Sequence, residues 1–377
     1  AGMSIVRRAV DLAWLRRGAG RAIRILLLPA SALFSPAVRL RALLYRLRLV
    51  PRARLDAAVV SVGNLSVGGT GKTPTALWVA ERLRERGYRV AILSRGYGGA
   101  ARRPTIVGGA NGEGAATPID WRDVGDENVL LARRFAGSVV VGRRRAEAGR
   151  LARRELGADV LVLDDGFQHL RLRRDFDLVC VRAAEPAGDL VLPAGRLREP
   201  SSALRRADAV LLTKGEEGKE DANEGVARRL ARLPVFRGEL RAVALVTSDQ
   251  GRWRELPIGQ LAARRSLAVS GLADPQPFYR TLHDWGARVE DFLEFPDHHV
   301  YTLADWKKIA FRSRELESVV TTEKDLVKLE QFPFAKDKLV AVRVVMDVEE
   351  GERLIQDIAA AVERRLEVIR KRSARRA

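Results

Sequence analysis

Residues 61 to 75, "SVGNLSVGGTGKTPT", gather the side chains best suited to chemistry: Gly68, Gly69, Thr70, Gly71, Lys72 and Thr73 in an unbroken run. Glycines permit torsions that turn successive N–H groups toward a phosphate chain. A lysine can reach the β and γ phosphates, and a threonine hydroxyl can join the shell of Mg²⁺. The strict phosphate-loop pattern starts on a glycine, where this chain has Ser66. Lys72 is the only lysine before Lys214 in a chain that otherwise uses arginine freely. A flexible ammonium fits this role in a way that a planar guanidinium does not. Further on, the apolar run "ADVLVLDDGFQ" ends in Asp164 and Asp165, followed by Gln168 and His169. A carboxylate at the end of a strand beside such a loop can hold Mg²⁺ or its water, and a strand-terminal Asp-Asp-Gly turn is the plainer alternative. Together these residues point to a nucleoside triphosphatase or kinase and leave the phosphoryl acceptor open.

The elements around them must be strands and helices in alternation. "LDAAVVSVGN" reads as a buried strand, the glycine loop follows, and "KTPTALWVAERLRERG" reads as a helix closed by Gly87. Apolar strands are then expected at "YRVAILS", "GSVVVG", "ADVLVLD", "FDLVCVRA" and "ADAVLLT", separated by helical stretches. Continuous apolar strands of this kind predict an α/β fold, a P-loop core on a mostly parallel sheet covered on both faces. After the polar run "GEEGKEDANEG" at 215–225, "PVFRGELRAVALVTSD" reads as paired strands, and the remainder as a smaller C-terminal α/β domain. The expected organisation is an arm over 1–56, a P-loop domain over 57–235 and a smaller domain over 236–377 that closes the active-site cleft.

Charge locates a further partner. The formal net charge is +19, and residues 1–56 hold twelve arginines against only Asp11 and Asp56. Polyanions are the matching partners, either nucleic acid or an anionic membrane surface. "ILLLPASALFSPAV" between Arg24 and Arg39 is broken by Pro29 and Pro36 and is read as too short for a spanning helix, which needs about 20 residues. Downstream, Leu40, Leu43, Leu44 and Leu47 form a helical stripe bordered by arginines. That stripe can lie in a headgroup layer or pack on the first domain. No small-residue cleavage site closes the apolar run, so a secretory signal fits poorly. The single cysteine, Cys180, excludes an internal disulfide and a thiolate metal cluster.

The ordered series "VGNLSVGGTGKTP", "LSRGYGG", "VGDE", "LVLDDGFQHLRLRRDFD", "LPAGRLREP", "FPDHHVYT" and "TTEKDLVKL" resembles the tetraacyldisaccharide 4′-kinases of lipid A biosynthesis, over nearly the whole chain. The resemblance implies transfer of the γ-phosphate of ATP, with Mg²⁺, to the 4′-hydroxyl of a lipid A disaccharide precursor. It implies a monotopic or peripheral protein on the cytoplasmic face of the bacterial inner membrane, with no spanning helix. Carried over to this sequence, it places the phosphate loop at Gly68 to Thr73, the catalytic acid at Asp126 and its histidine at His298, with His299 as the second choice. Thr73, Asp164, Asp165, Gln168 and Glu199 fall in the metal and nucleotide neighbourhood, and Arg95, Tyr97, Arg198 and His169 near the acceptor headgroup. Arg196 stands where the family pattern is expected to be small or proline. A monomer that does not bind nucleic acid is expected. The competing reading is a partition or division-site ATPase, whose loop carries a signature lysine where this chain has Val67. "TKGE" and "TTEKD" are weak matches to a guanine-recognition motif.

Overall fold

The computed structural model describes residues 19–97, 99–108, 120–183, 189–213, 233–249, 251–262 and 264–375. The polar run at 215–225 and the first part of the basic arm lie outside them. Thirteen strands are described: β1 (Ala58–Asn64), β2 (Val90–Ser94), β3 (Thr105–Val107), β4 (Ser138–Val141), β5 (Val160–Asp164), β6 (Phe176–Arg182), β7 (Ala209–Thr213), β8 (Val235–Asp249), β9 (Arg252–Leu256), β10 (Arg265–Ser270), β11 (Arg288–Glu294), β12 (Ser318–Thr322) and β13 (Leu339–Val348).

The chain forms two compact units, both discontinuous in sequence. The first holds residues 1–90, 157–239 and 347–377, and the second holds 91–156 and 240–346. In the first unit β7, β6, β1 and β5 lie side by side and parallel, with the start of β8 beside β7. β1 is buried along its whole length, as its run of valines requires of a central parallel strand. The helix Lys72–Glu85 lays Ala76, Leu77, Val79, Ala80 and Leu83 on this sheet. It ends at Arg86 and Gly87, where a φ of +88° lets the Tyr88 N–H reach back to the Leu83 carbonyl at 3.3 Å. The C-terminal helix Gly351–Ala374 packs on β1 and β6 through Leu354, Ile355, Ile358 and Val362.

In the second unit β11, β10, β12 and β13 run parallel in that order beside the end of β8, and β9 folds back antiparallel on β8. The same unit holds β2 parallel to β4, with β3 antiparallel on its other side. Val246, Leu267, Val269, Val319, Leu326 and Leu339 share one of its cores.

Two sequence expectations differ from this architecture. "PVFRGELRAVALVTSD" is one strand of 15 residues rather than a pair. It contains no two-residue turn, and the division between units falls inside it, after Glu239. Residues 91–156, expected within the P-loop domain, belong to the second unit. Local periodicity specifies the strands and helices but not which sheet partner they choose.

The N-terminal segment also differs. Pro29 and Pro36 do not end the apolar run; they lie inside one helix, Ala19–Arg46, of 28 residues. Each proline forfeits one intrahelical hydrogen bond, yet the surrounding leucine- and alanine-rich turns keep the helix, about 42 Å long. By length and composition Arg21–Arg46 could cross a membrane, and almost none of its apolar window is buried. Ile25, Leu26, Leu33, Phe34, Leu40 and Leu43 are exposed, so the leucine stripe is not packed on the first unit. The helix is tied down at a few points only. The buried Ser31 hydroxyl donates to the Val191 carbonyl and accepts from the Ala194 N–H, both at 2.9 Å, and Arg24 pairs with Asp189 at 3.1 Å.

Candidate active site

In the first unit, β1 delivers the chain into the glycine loop and the helix Lys72–Glu85 leaves it. Gly68 and Gly71 have φ of +120° and +72°, conformations that a side chain would strain. Gly71 caps the helix, and its carbonyl accepts from the Thr75 N–H at 3.0 Å. Asn64 donates to the Thr70 hydroxyl at 2.8 Å, and Arg182 donates to the Gly69 carbonyl at 2.6 Å. The loop is also stitched to the 196–198 segment, through Val67 N–H to Arg196 carbonyl and Arg198 N–H to Leu65 carbonyl. Ser66, the departure from the strict pattern, sits in a β-bridge to Leu197, where backbone pairing and not a glycine torsion is required.

Lys72 opens the helix and has no carboxylate partner among the described residues. An unpaired ammonium beside a helix N-terminus is an anion site in charge and in hydrogen-bonding capacity. Next to it, the Thr73 hydroxyl donates to the Asp164 carboxylate at 3.2 and 3.3 Å. This pair supplies hard oxygen donors of the type Mg²⁺ takes, with phosphate and water left to complete the shell. The other expected metal-side residues are engaged differently. Both Asp165 oxygens accept from Arg198, at 2.8 and 2.9 Å. Gln168 donates to the Asn64 carbonyl at 2.7 Å, and its own carbonyl faces Arg198 at 3.5 Å. Glu199 is buried and pairs at 2.7 Å with Arg206, whose guanidinium lies over the Phe167 ring. Asp165 adopts a left-handed φ of +55°, so the turn that turns it toward Arg198 is backbone-strained. Gly63 is obligatory beside that turn: a Cβ there would stand 2.7 Å from the Phe167 N atom. His169 is half-buried in this turn. The Cys180 thiol is buried behind the loop and pushed up to about 12 by that burial, which makes it a packing residue.

The second unit holds the other candidates. Asp126 is the first residue of the helix Asp126–Arg134, entered through Gly125 at φ +93°, and a Cβ on Gly125 would lie 2.4 Å from the Tyr97 carbonyl. Asp126 Oδ1 lies 3.3 Å from His298 Nδ1 and Oδ2 lies 3.2 Å from Lys328 Nζ. Lys328 is 1% exposed and also faces Asp325 Oδ1 at 3.3 Å. Lys324 stands 3.2 Å from His298 Nε2 and 2.9 Å from Asp297. A lysine only donates, so the neutral imidazole accepts at Nε2 and presents its N–H from Nδ1 to Asp126. His298 itself has a left-handed φ of +57°.

Burial pushes the Asp126 carboxyl up, but the His298 hydrogen bond and then the charges of Lys328 and Lys324 more than reverse it and hold it well below the usual carboxylate range. The bond to Asp126, opposed by burial and by Lys324, lifts His298 above its ordinary value. Two titratable groups are thus pushed apart, one toward permanent charge and one toward holding a proton. Tyr97 is 71% exposed, with its ring 6.0 Å from that of His298. Arg95 is exposed two residues earlier. His299, the other histidine of the block, is turned to Asp305 at 3.1 Å.

Sequence reasoning did not single out Lys324, Asp325 and Lys328, although they lie in the quoted "TTEKDLVKL". The available signal was the four-residue spacing of two lysines, which places both on one face of the helix Glu323–Leu329.

A glycine loop between a central parallel strand and a helix, with an aspartate ending the neighbouring strand, defines a P-loop enzyme of phosphoryl transfer. The family model for LpxK, tetraacyldisaccharide-1-P 4′-kinase, matches residues 23–363, and the chain belongs to that family. It is 43% identical over 374 residues to the tetraacyldisaccharide 4′-kinase of Anaeromyxobacter sp. (strain Fw109-5), covering 96% of this chain and 98% of that one. It is 40% identical over 313 residues to the enzyme of that name from Syntrophus aciditrophicus, covering 79% and 82%. The crystal structure of LpxK from Aquifex aeolicus in complex with ATP is 34% identical, with a TM-score of 0.77 over 90% of this chain and 99% of that one. Family membership replaces both the partition-ATPase and the guanine-nucleotide readings, and the expected α/β fold with a P-loop core holds.

Proposed function

We propose that this chain transfers the γ-phosphoryl group of ATP to the 4′-hydroxyl of tetraacyldisaccharide 1-phosphate, giving lipid IVA, with the roles that follow. The observation that carries the reading is the unpaired Lys72 at a helix N-terminus, adjoining the Thr73–Asp164 oxygen pair. Lys72 and the loop N–H groups bind the β and γ phosphates. Thr73 and Asp164 would hold Mg²⁺, which when bound offsets negative charge on the phosphate oxygens. Asp165, Gln168 and Glu199 act at one remove, orienting Arg198, Asn64 and Arg206.

The acceptor oxygen bonds to the γ-phosphorus as its bond to the β-phosphate oxygen breaks, and the hydroxyl proton must leave. Asp126 orients that hydroxyl but lies too far below the usual carboxylate range to keep the proton; His298 Nδ1–H is already directed to Asp126, so the imidazole takes the proton at Nε2, the nitrogen that otherwise accepts from Lys324. Arg95, Tyr97, Arg198 and His169 are assigned to the acceptor headgroup. The exposed apolar face and arginines of the helix Ala19–Arg46 support attachment to the cytoplasmic face of the inner membrane.

Transfer of label from γ-labelled ATP to tetraacyldisaccharide 1-phosphate in detergent tests this reading. Labelled lipid is expected from the wild type and not from Lys72→Ala, Asp126→Ala or His298→Ala. Hydrolysis of ATP that depends on Lys72 but leaves lipid unlabelled would keep the nucleotide site and refute the acceptor.

A further inference from the structure

A strongly basic concavity of the first unit shares Glu199 and Arg206 with the phosphoryl-transfer site and is otherwise lined by residues without a role there. A cavity of about 1200 Å³ lies between the second half of the helix Ala19–Arg46, with the segment after it, and residues 170–206. Its arm side carries Arg39, Arg46, Arg48, Arg52 and Arg54, and the opposite wall carries Arg173, Arg174, Arg205 and Arg206. The two acidic residues that line it are already neutralised, Asp177 by Arg174 at 2.8 Å and Glu199 by Arg206 at 2.7 Å. The other seven guanidinium groups form no ion pair among the described residues, although the charge of Asp175 acts on Arg54 and Arg173; Arg52 rests over the Tyr45 ring at 5.5 Å. Burial, followed by repulsion from Arg174, Arg173 and Arg206, disfavours the charge on Arg52, and burial with Arg173 and Arg372, opposed by Asp175, does the same at Arg54. Seven like charges against one nearby carboxylate, Asp175, destabilise the fold, and a bound anion opposes that contribution.

The remaining lining decides which anion. Leu40 and Leu43 also face the cavity and are 56% and 45% exposed. Leu33 and Phe34 continue the exposed apolar surface along the same helix. A nucleotide or nucleic acid would meet the arginines and leave these side chains in water. An anionic amphiphile meets both, its phosphate on the guanidinium forks and its chains along the leucines.

The geometry points to this cavity as a binding site for the headgroup of an anionic membrane phospholipid, separate from the nucleotide loop. It rests on the membrane attachment proposed above and gives that attachment a residue-level preference for charged lipid, which an apolar helix alone lacks.

The test uses the full chain and cosedimentation with vesicles of phosphatidylcholine, with and without one part in three phosphatidylglycerol. Arg173→Gln with Arg205→Gln removes two exposed charges from the wall opposite the helix, leaving the apolar face and the phosphoryl-transfer residues intact. Arg84→Gln with Arg353→Gln removes two exposed charges outside the cavity. At about 1 kcal/mol for each basic residue, the cavity pair is expected to weaken binding to the charged vesicles about 30-fold. The control pair should leave it within about twofold of wild type, and labelling of detergent-dispersed acceptor should not change in either. Equal weakening by both pairs would reduce the effect to net charge and overturn the site. Unchanged binding by the cavity pair would overturn it while sparing the attachment. Absence of wild-type binding to either vesicle would overturn both. Release of the wild type by millimolar glycerol phosphate would make the ligand a free phosphate, and loss of lipid labelling in the cavity pair would make the cavity part of the acceptor site; each overturns the proposal as stated.

Discussion

Substituting Lys72 by alanine removes the ammonium that the described residues place at the phosphate loop. The expected loss in kcat/KM is on the order of 10³, read by lipid labelling, with the melting temperature nearly unchanged because Lys72 has no carboxylate partner among the described residues. His298→Ala is expected to lower kcat by 10² to 10⁴ (order of magnitude) while sparing ATP binding, measured by nucleotide titration beside turnover. Asp126 carries a pH signature as well. Its folded pKa is depressed, so the stability it contributes is complete above the unfolded value near 3.8 and is lost as pH falls toward the folded value. His298 is raised above 6.5, so its contribution is complete below 6.5 and is lost as pH rises through the folded value. Asp126→Asn should therefore cost about 3 kcal/mol at neutral pH, since it strips a buried pair from Lys328, and should flatten both limbs in urea unfolding across pH 3 to 9. At this scale the phosphate loop was legible because its chemistry is contiguous in sequence. The Asp126 network was legible only through family resemblance, and Lys328 was not legible, because burial of a lysine between two aspartates is a tertiary event that a polar residue in a helical pattern does not announce.

Short connecting elements carry as much of the site as its side chains. Gly125 starts the helix Asp126–Arg134 from φ +93°, with the Tyr97 carbonyl in the place of any Cβ. Gly125→Ala should destabilise the protein by about 2 kcal/mol and lower kcat more than KM for ATP, by displacing Asp126. Ser31 is the analogous point for the N-terminal helix. Ser31→Ala breaks two buried hydrogen bonds, at about 1 kcal/mol each, and is expected to speed amide exchange across residues 21–38 with little change in nucleotide binding. The strands were legible from continuous apolar runs, and the P-loop helix from its glycine boundaries. The 15-residue β8 was misjudged because alternation in its second half resembles a hairpin arm, and the N-terminal helix because proline is a strong local signal that the long flanking turns override.

At the scale of the whole molecule, neither unit is a continuous stretch of chain, and composition could not have shown this. The first unit ends with the helix Gly351–Ala374, packed on β1 and held by Arg365, whose buried guanidinium donates to the Leu55 carbonyl and faces Asp175 at 3.8 Å. Tyr88 adds a bond to Glu363 at 2.6 Å. Synthesis runs from the N-terminus, so β1 and the phosphate loop leave the ribosome long before the residues that cover them. The nucleotide-binding unit can be completed only when the helix Gly351–Ala374 emerges, which ties ATP binding to a segment made nearly 300 residues after the phosphate loop. A chain ending at residue 350 should accordingly expose the apolar flank of β1 and β6, bind hydrophobic dye and fail to retain ATP in equilibrium dialysis, so that a prematurely terminated product carries no active nucleotide site to the membrane.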